Sequence, residues 1–402
     1  MTGQKLRNVN RRSMNFLVLL AVVAGSAFCR SESGSLDLVR KNFHFVEGQL
    51  SRALDYIGDS ELNPRSTNAD GSLRLVASGD WTSGFFPGNL WLLYEYSGDE
   101  KWQGAARRFT ENVEEEQHNG TTHDMGFKMF CSFGNGYRLT HDPHYKDILL
   151  QSANTLITRY NEKVGCIRSW DHNRDRWQFP VIIDNMMNLE LLFWATKVSG
   201  DSAYYKIARN HARTTQKNHF RADYSSWHVI DYDTTTGAIL NRHTHQGFSH
   251  DSAWARGQAW GLYGFTMCFR ETGDQDFLEQ ALQIAGFILD HESLPEDMVP
   301  YWDFDAPNIP NEPRDASAAA IICSALYELS GYAGAEGDKY RAAADKILAS
   351  LSSPEYRAQP GDNNYFLLKH SVGSKPANSE VDTPLIYADY YFLESNLRKS
   401  GH

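Results

Sequence analysis

The stretch NMMNLELLFWATKVSGDSAYYKIARNHA (residues 185–212) contains the structural unit that decides the fold of this chain. Its first half is apolar on nearly every side, which is typical of a helix buried in a core. An SGD turn follows, and the second half has the pattern of an amphipathic helix. The Asp of the turn, Asp201, is expected to cap that second helix. The unit is therefore a buried helix, a tight turn and a partly exposed helix.

The same unit recurs along the chain, and its turns are marked by Asp99, Asp142, Asp201, Asp274 and Asp338. We expect each Asp to be a helix N-cap, with an aromatic residue anchoring the first turn. A more apolar helix precedes each turn, a sixth lies in PLIYADYYFLESNLRK, and residues 36–56 supply the first amphipathic helix. Six inner helices ringed by six outer ones predict an all-α (α/α)6 barrel, with an open helical solenoid as the alternative.

The longer linkers carry most of the polar and aromatic residues outside the helices. If the SGD turns lie at one end of the barrel, these linkers converge at the other end, on the N-termini of the inner helices. Such a concentration of Trp, His and charged residues is typical of a binding site. The aromatic residues available to stack on a sugar are Trp81, Trp170, Trp177, Trp227, Trp254 and Trp260, although core packing is the more common role for any one of them.

Composition excludes several classes of function. The formal charge is −11 and no basic tract follows the N-terminus, so nucleic acid is not a predicted partner. The chain has no P-loop, dinucleotide fingerprint or G-x-S-x-G elbow, which argues against phosphoryl transfer, redox and Ser-nucleophile chemistry. Beyond Cys29, the four cysteines predict free thiols rather than a disulfide scaffold or a zinc site.

The N-terminus has the order of a secretory signal. Basic residues precede the apolar run 16–24, and small residues follow it. We expect a signal peptide over residues 1–29 with cleavage near Ala27, and Cys29 offers lipidation as an alternative. The catalytic domain would then span 30–402 in a periplasmic or secreted protein. No other stretch is apolar enough to predict a membrane span.

Two acids stand at the starts of inner helices, Asp124 in HDMGF and Asp184 in IIDNMMN. Either could be a simple N-cap, and Asp315 and Asp382 occupy similar positions. What distinguishes Asp184 is the apolar run 181–183 before it, because burial would raise the pKa of its carboxyl. Two carboxylates at one barrel mouth suit proton transfer to a sugar.

Other candidates lie in the linker before the fourth inner helix. Arg256, at a predicted helix start with Gln258, could clamp a carboxylate, or it could form an ion pair with an acid such as Asp251. His228 could be a structural hydrogen bonder or a substrate contact. The histidines of RHTHQGFSH suggest a metal only weakly, since their spacing fixes no third ligand. We therefore predict no metal and no cofactor.

Several of these segments together resemble the unsaturated glucuronyl hydrolases of glycoside hydrolase family 88. They are SGDWTSGFFPGNLWLLYEYSGD, HDMGF, DNMMNLELLFWA, HQGFSHDSAWARGQAWGLYGF and the ending VDTPLIYADYYFLESNL. The H-Q-G…S-x-W-A-R-G-Q-A-W block is the most specific, and the resemblance extends from about residue 36 to the end.

The resemblance implies a metal-independent (α/α)6 barrel enzyme. Such an enzyme removes a 4,5-unsaturated uronic acid from the non-reducing end of lyase-generated, glycosaminoglycan-type oligosaccharides, by hydration of the C4=C5 enol ether. It places the general acid/base at Asp184 and an assisting carboxylate at Asp124. The implied sugar contacts are Trp81, His228, Gln246, Arg256, Trp260, Ser371 and Ser374. The SVGSK segment (371–375) is similar in part to a Ser/Lys segment that some members of the family use for sulfated substrates. Here Lys375 directly follows Ser374, which departs from the spacing expected of that segment.

The expected partner is thus an unsaturated uronate oligosaccharide, and the chain is expected to be a monomer or homodimer. Two other enzyme activities stay open, an unsaturated rhamnogalacturonyl hydrolase and another (α/α)6 inverting glycosidase. A helical-repeat binding module without chemistry is the third alternative, disfavoured by the acids clustered in the linkers.

Overall fold

The computed structural model describes residues 36–401, so the signal peptide predicted for residues 1–29, with Ala27 and Cys29, lies outside the described residues. The helices are α1 (36–57), α2 (Phe85–Ser97), α3 (Glu100–Glu111), α4 (Asn135–Thr140), α5 (Pro143–Ile157), α6 (Leu189–Ser199), α7 (Ser202–Asn218), α8 (Ala255–Thr272), α9 (Gln275–Asp290), α10 (Ala316–Ser330), α11 (Gly337–Leu351) and α12 (Ile386–Ser400). A π-helix, Gly126–Gly134, leads into α4, and a 3₁₀ helix, Ile183–Asn188, leads into α6. Shorter 3₁₀ turns are Glu114–His118, Gly334–Glu336 and Asn363–Tyr365.

The even-numbered helices form a closed inner ring. Each packs against the next, with Tyr137 of α4 packing on Trp194 of α6 (ring centroids 5.5 Å apart), and α12 packs against α2 to complete the circle. Each odd-numbered helix lies outside, and α1 joins the ring through stacking of Phe43 on Tyr96 at the end of α2. The predicted (α/α)6 barrel is confirmed, and the open solenoid is wrong because the ring closes. Within residues 36–401, no helix combines the length and the apolar character needed to cross a membrane.

The burial of the helices follows their composition. In α8 every residue from 255 to 268 is buried, because this inner helix contacts neighbours on all sides. The outer helix α3 buries only one face, with Trp102, Ala106 and Phe109 turned inward. The apolar inner helices therefore form the core, and the amphipathic outer helices cover it.

The SGD turns end the inner helices and start the outer ones. Four of the predicted caps are confirmed, because their carboxylates accept a backbone N–H two residues ahead: Asp99, Asp142, Asp201 and Asp274. The fifth is wrong. The 3₁₀ turn Gly334–Glu336 runs directly into α11, which begins at Gly337, so Asp338 lies inside the first helical turn instead of before it.

The linkers at the other end fold into small antiparallel sheets. Their strands are β1 (Asn63–Thr67), β2 (Leu73–Val76), β3 (Tyr160–Asn161), β4 (Cys166–Ile167), β5 (Pro180–Ile182), β6 (Val229–Tyr232), β7 (Ile239–His243), β8 (Ser371–Ser374) and β9 (Ser379–Thr383). They pair as β1–β2, β3–β4, β5–β6–β7 and β8–β9. Strand β5 leads directly to Asp184, and β6 begins just after His228. The sheets therefore position the residues that the sequence singled out.

Candidate active site

Asp184 lies in the first turn of the 3₁₀ helix Ile183–Asn188, immediately after β5. The backbone N–H of Ile183 donates to the carbonyl of His228 (3.0 Å), which fixes this turn against the start of β6. The side chain of Asp184 is 13% exposed. Its Oδ2 atom is buried and has no hydrogen-bond partner among residues 36–401, and the helix has no side-chain cap. Asp184 is therefore not a helix cap.

The surroundings of Asp184 favour its protonated form. Burial raises the pKa of its carboxyl to about 7, and the nearby Asp124 carboxylate acts in the same direction. The positive charge of Arg256 and the indole of Trp260 oppose that shift. The result is a carboxylic acid that can both give and take a proton near neutral pH.

His228 is an ionisable neighbour of this acid. Its Nδ1 accepts two backbone hydrogen bonds, from His245 and Gln246 (3.1 Å each), so the ring proton must be on Nε2. Nε2 lies 3.7 Å from Oδ2 of Asp184. Burial lowers the pKa of His228 well below its usual value, so the imidazole is neutral. One ring nitrogen thus has a structural role, and the other directs an N–H toward Asp184.

Asp124 lies just before the π-helix and is held on both oxygens. The hydroxyl of Thr122 donates to Oδ2 (2.6 Å), and Nε2 of His123 lies 3.3 Å from Oδ1. His123 is buried, and this burial lowers the pKa of its imidazole. The π-helix has no side-chain cap, so Asp124 also is not an N-cap. Its carboxylate is instead oriented by its two neighbours.

Asn188 joins the segments that carry the two acids. Its Oδ1 accepts the backbone N–H groups of Gly126 (2.8 Å) and Phe127 (3.2 Å), at the start of the π-helix. A Cβ atom at Gly126 would approach the Cα of Asn188 to 2.6 Å, so only glycine allows this contact. The positions of Asp124 and Asp184 relative to each other are therefore fixed by one shared amide.

Phe127 links the two predicted tryptophan contacts. Trp81 is partly exposed and packs on Phe127 (ring centroids 5.4 Å apart) and Tyr387 (5.0 Å). Trp260 is buried and packs on Phe127 (5.1 Å) and Tyr391 (5.5 Å). The buried indole N–H of Trp260 has no hydrogen-bond partner among the described residues. It is thus a hydrogen-bond donor beside the acid pair.

Arg256 is buried at the start of α8. Its guanidinium forms an ion pair with Asp315 (3.2 Å) and donates to the carbonyls of Val372 and Gly373 in β8. The suggested ion pair with Asp251 is wrong, because Asp315, which caps the adjacent inner helix α10, is the carboxylate that lies next to the Arg256 guanidinium. Arg256 positions the β8–β9 hairpin while its charge acts on Asp184.

The remaining predicted contacts gather on that hairpin. The side-chain amide of Gln246 donates to the carbonyl of Gly373 (3.1 Å). Ser371 is buried, its hydroxyl lacking a hydrogen-bond partner within residues 36–401, and Ser374 is partly buried. Lys375 is turned away toward Glu312, with Nζ 3.1 Å from Oε2. The structure thus brings the predicted residues to one end of the barrel.

The histidines of RHTHQGFSH have other partners. Nδ1 of His243 accepts from the indole of Trp177 (3.1 Å), and Nδ1 of His250 accepts from the backbone of Thr244 (3.1 Å). No group of three or more His, Cys, Asp or Glu in the described part of the chain is arranged to hold a metal. These histidines support the loop around His228.

The sequence analysis missed Thr122, His123, Asn188 and Tyr387. A signal existed for two of them. His123 precedes Asp124 directly. Asn188 follows Asp184 by four residues, a spacing that in an α-helix places the two side chains on the same face. Thr122 and Tyr387 had no comparable signal, since their roles depend on packing between elements.

Comparison with known proteins finds one matching family model and several relatives that cover most of the chain. The sequence model of Glycosyl Hydrolase Family 88 matches residues 59–400. An unsaturated glucuronyl hydrolase from Formosa agariphila is 48% identical over 400 residues, covering 96% of this chain and 99% of that protein. An unsaturated chondroitin disaccharide hydrolase from Streptococcus pneumoniae is 33% identical, covering 87% of this chain and 89% of that protein. A solved unsaturated glucuronyl hydrolase specific for heparin has a TM-score of 0.88 and 52% identity, covering 91% of this chain and 97% of that one.

Proposed function

This chain belongs to glycosyl hydrolase family 88, and we propose that it removes a 4,5-unsaturated uronic acid from the non-reducing end of glycosaminoglycan-type oligosaccharides. The observation that carries the proposal is Asp184, a buried carboxyl whose pKa is raised to about 7 beside a second carboxylate, Asp124. Its relatives include proteins named for unsaturated glucuronyl and unsaturated chondroitin disaccharide hydrolysis.

The chemistry of the substrate explains why one acid suffices. The C4=C5 double bond is attached to the ring oxygen, so the sugar is an enol ether. Protonated Asp184 donates its proton to C4, and the double-bond electrons form that C–H bond, leaving an oxocarbenium centre at C5. Water adds at C5 and gives its proton to the Asp184 carboxylate. The resulting hemiketal opens and releases the remaining oligosaccharide.

The neighbours of Asp184 act on its two protonation states. Asp124 raises the pKa of Asp184 before proton transfer, and its negative charge stabilises the positive centre that follows. The Nε2–H of His228 faces the Asp184 carboxylate that forms once the proton has left. Trp81 and Trp260 are proposed to border the sugar ring.

The direct test uses the substrate's conjugated double bond. Purified protein is incubated with unsaturated disaccharides from chondroitin, from heparin and from rhamnogalacturonan, and the loss of ultraviolet absorbance is followed. We expect decay with glycosaminoglycan disaccharides. Decay only with the rhamnogalacturonan product would support the alternative activity. If absorbance changes with none of these disaccharides, release of sugar from saturated chains in a parallel incubation would indicate a conventional inverting glycosidase.

The pH dependence of kcat/KM should report the protonation state of Asp184. Its protonated form exists below about pH 7, so kcat/KM should fall about tenfold per pH unit above that value. In Asp124→Asn a negative neighbour is lost, which lowers the pKa of Asp184 and moves this fall to lower pH. The residual activity of the variant, profiled beside the wild type, checks the shift. If the decrease in kcat/KM of Asp124→Asn begins at the same pH as in the wild type, or at a higher pH, the two acids are not coupled as proposed.

Export and assembly are further parts of the proposal. The predicted signal peptide supports a periplasmic or secreted enzyme, with cleavage near Ala27 or a lipid on Cys29. Mass spectrometry of the protein from a fractionated host tests this, and a full-length product in the cytosol contradicts it. The expectation of a monomer or homodimer is tested by light scattering on the same sample.

A further inference from the structure

A cavity lies on the barrel axis, at the end opposite the acid pair. Its volume is about 470 Å³, and it is lined by residues of α2, the π-helix, α4, α6, α8 and α12. The mouth lies at the turns between inner and outer helices, beside the exposed side chains of Arg138 and His141. Phe127, which packs on the two predicted tryptophan contacts, closes the inner end. Neither Asp124 nor Asp184 lines the cavity, so it is separate from the candidate active site.

The wall of this cavity is largely aromatic. Trp194 packs against Phe130 and Tyr137, with ring centroids 6.1 and 5.5 Å apart. The other tyrosines that line it belong to α8 and α12: Tyr263, Tyr390 and Tyr391. Aromatic faces attract cations, and the indole of Trp does so most strongly. The wall therefore suits an occupant that is positively charged or apolar.

Carboxylates outnumber cations around this cavity when histidine is counted as neutral. Three of the carboxylates lie on its wall, those of Glu95, Glu190 and Glu394. With the groups that pair with them, the set has five carboxylates and four cations: Glu95, Glu190, Glu271, Glu328 and Glu394, and Arg138, Lys197, Arg270 and Arg398. Burial raises the pKa of the Glu190 carboxyl, Arg270 opposes this, and three other glutamates of the set raise the pKa further. A cation in the cavity would relieve that repulsion.

The hydroxyl of Tyr391 is a polar group that the described residues leave unpaired. Tyr391 lines the cavity and is 2% exposed, with its ring packed on Trp260 and Tyr263 (5.5 Å each). Its hydroxyl has no hydrogen-bond partner within residues 36–401. Burial raises the pKa of this hydroxyl and so does the nearby Glu394, which acts in the same way on Glu190. Because buried hydroxyls normally have a partner, this one is available to accept an N–H from a ligand.

We propose that this cavity is a second binding site, for an organic ammonium cation that carries an aromatic or alkyl group. Glu190, Glu394 and the hydroxyl of Tyr391 hold the ammonium, and Trp194 contacts the apolar part. The volume of about 470 Å³ is that of a small-molecule site. A bare metal ion does not fit, because no three His, Cys, Asp or Glu of the described chain are arranged to hold one. The site is independent of the proposed hydrolysis, whose substrate is an anion bound at the other end of the barrel.

The experiment compares probes that share a phenyl ring and a short chain and differ in charge: phenethylamine, phenethyl alcohol and phenylacetate. Each is titrated into the purified protein by calorimetry at constant ionic strength. We expect the amine to bind with a Kd at or below about 1 mM. It should bind at least about tenfold more tightly than the alcohol, because only the amine offers a cation to the acids and the aromatic wall.

Cys131 reports whether the amine binds in this cavity. It lines the cavity and is partly exposed, whereas the other described cysteines are buried: Cys166, Cys268 and Cys323. Labelling of the thiol by methyl methanethiosulfonate is followed by mass spectrometry. At ten times its Kd, the amine should slow labelling of Cys131 about tenfold. Phenylacetate at the same concentration should leave the labelling rate unchanged.

Two variants test the groups assigned to the ammonium. Tyr391→Phe removes only the hydroxyl, and Glu190→Gln removes one charge while Arg270 keeps its other acidic partners. Each should weaken amine binding roughly threefold to tenfold, and Glu190→Gln should leave binding of the alcohol unchanged. Tyr145→Phe is the control, because Tyr145 is also buried but does not line the cavity. Its Kd for the amine should change by less than about twofold.

Three results would each overturn the site. The first is no amine binding, or equal binding of amine and alcohol. The second is amine binding that leaves Cys131 fully reactive, which would place the amine elsewhere on the protein. The third is amine binding that is undiminished in both Tyr391→Phe and Glu190→Gln, or diminished equally in Tyr145→Phe. None of these results bears on the hydrolysis of unsaturated disaccharides, which is measured separately by absorbance.

Discussion

Asp184→Asn is expected to lower kcat by at least about 10²–10⁴-fold while the protein stays folded. The substitution keeps the size of the side chain, but an amide has no acidic proton for C4 and cannot take one from water. Both steps of the proposed reaction are therefore lost together. Substrate binding should persist, because the sugar contacts proposed for Trp81, Trp260 and the β8–β9 hairpin are unchanged.

Stability gives an independent measurement on the same variant. The folded-state pKa of Asp184 is raised to about 7 from an ordinary value of 3.8. Between about pH 4 and 7 the carboxyl ionises in the unfolded chain but keeps its proton in the folded protein, so this group should destabilise the wild type progressively as pH rises, until the buried carboxyl also ionises near pH 7. Asn cannot ionise, so the melting temperature of Asp184→Asn relative to wild type should increase over that interval. A difference that stays constant with pH would contradict the raised pKa.

The control is Asp382→Asn. The sequence places Asp382 before an inner helix as it does Asp184, but the structure puts it on β9, 60% exposed and 2.6 Å from His370. Absorbance decay should change by less than about twofold in this variant. If Asp184→Asn retained activity comparable with that of the control, another group would have to be the acid.

The barrel was predictable because the apolar pattern of each helix pair shows which helix is buried on all sides and which on one face only. An inner helix that is apolar on all sides and an outer helix with one apolar face have one simple arrangement, a ring inside a ring. The backbone irregularities were not predictable. The π-helix Gly126–Gly134 and the 3₁₀ helix Ile183–Asn188 occur where Asn188 takes the first N–H groups of the π-helix. That contact joins residues 62 positions apart, so no local pattern encodes it.

The site was predictable to a similar depth. Asp124 and Asp184 could be chosen as candidate acids from their positions at helix starts, and the apolar run before Asp184 predicted its burial. Their partners depend on the closure of the ring. The wrong ion pair for Arg256 shows the limit, because Asp251 is near in sequence whereas Asp315 is 59 residues away and arrives only through packing of α8 on α10.

Arg256→Gln is expected to destabilise the protein by about 3–5 kcal/mol, the range for breaking a buried ion pair. Arg256 is 1% exposed and Asp315 is fully buried. The substitution leaves a buried carboxylate without its countercharge and the carbonyls of Val372 and Gly373 without a charged donor. Since those carbonyls belong to β8, the hairpin carrying Ser371 and Ser374 should loosen, and kcat/KM should fall as well. Denaturant unfolding gives the stability change, with Arg174→Gln as the exposed-arginine control.

A double-mutant cycle with Asp315→Asn separates the ion pair from the hairpin contacts. Asn at 315 keeps an oxygen for the backbone N–H of Ser317, which caps α10, but it removes the charge that faces Arg256. If the ion pair dominates, the double variant should be less destabilised than the sum of the two single variants. Additive losses would assign the stability to the β8 carbonyls alone. Activity discriminates further: Asp315→Asn should retain more turnover than Arg256→Gln, because only the arginine both holds the hairpin and acts electrostatically on Asp184.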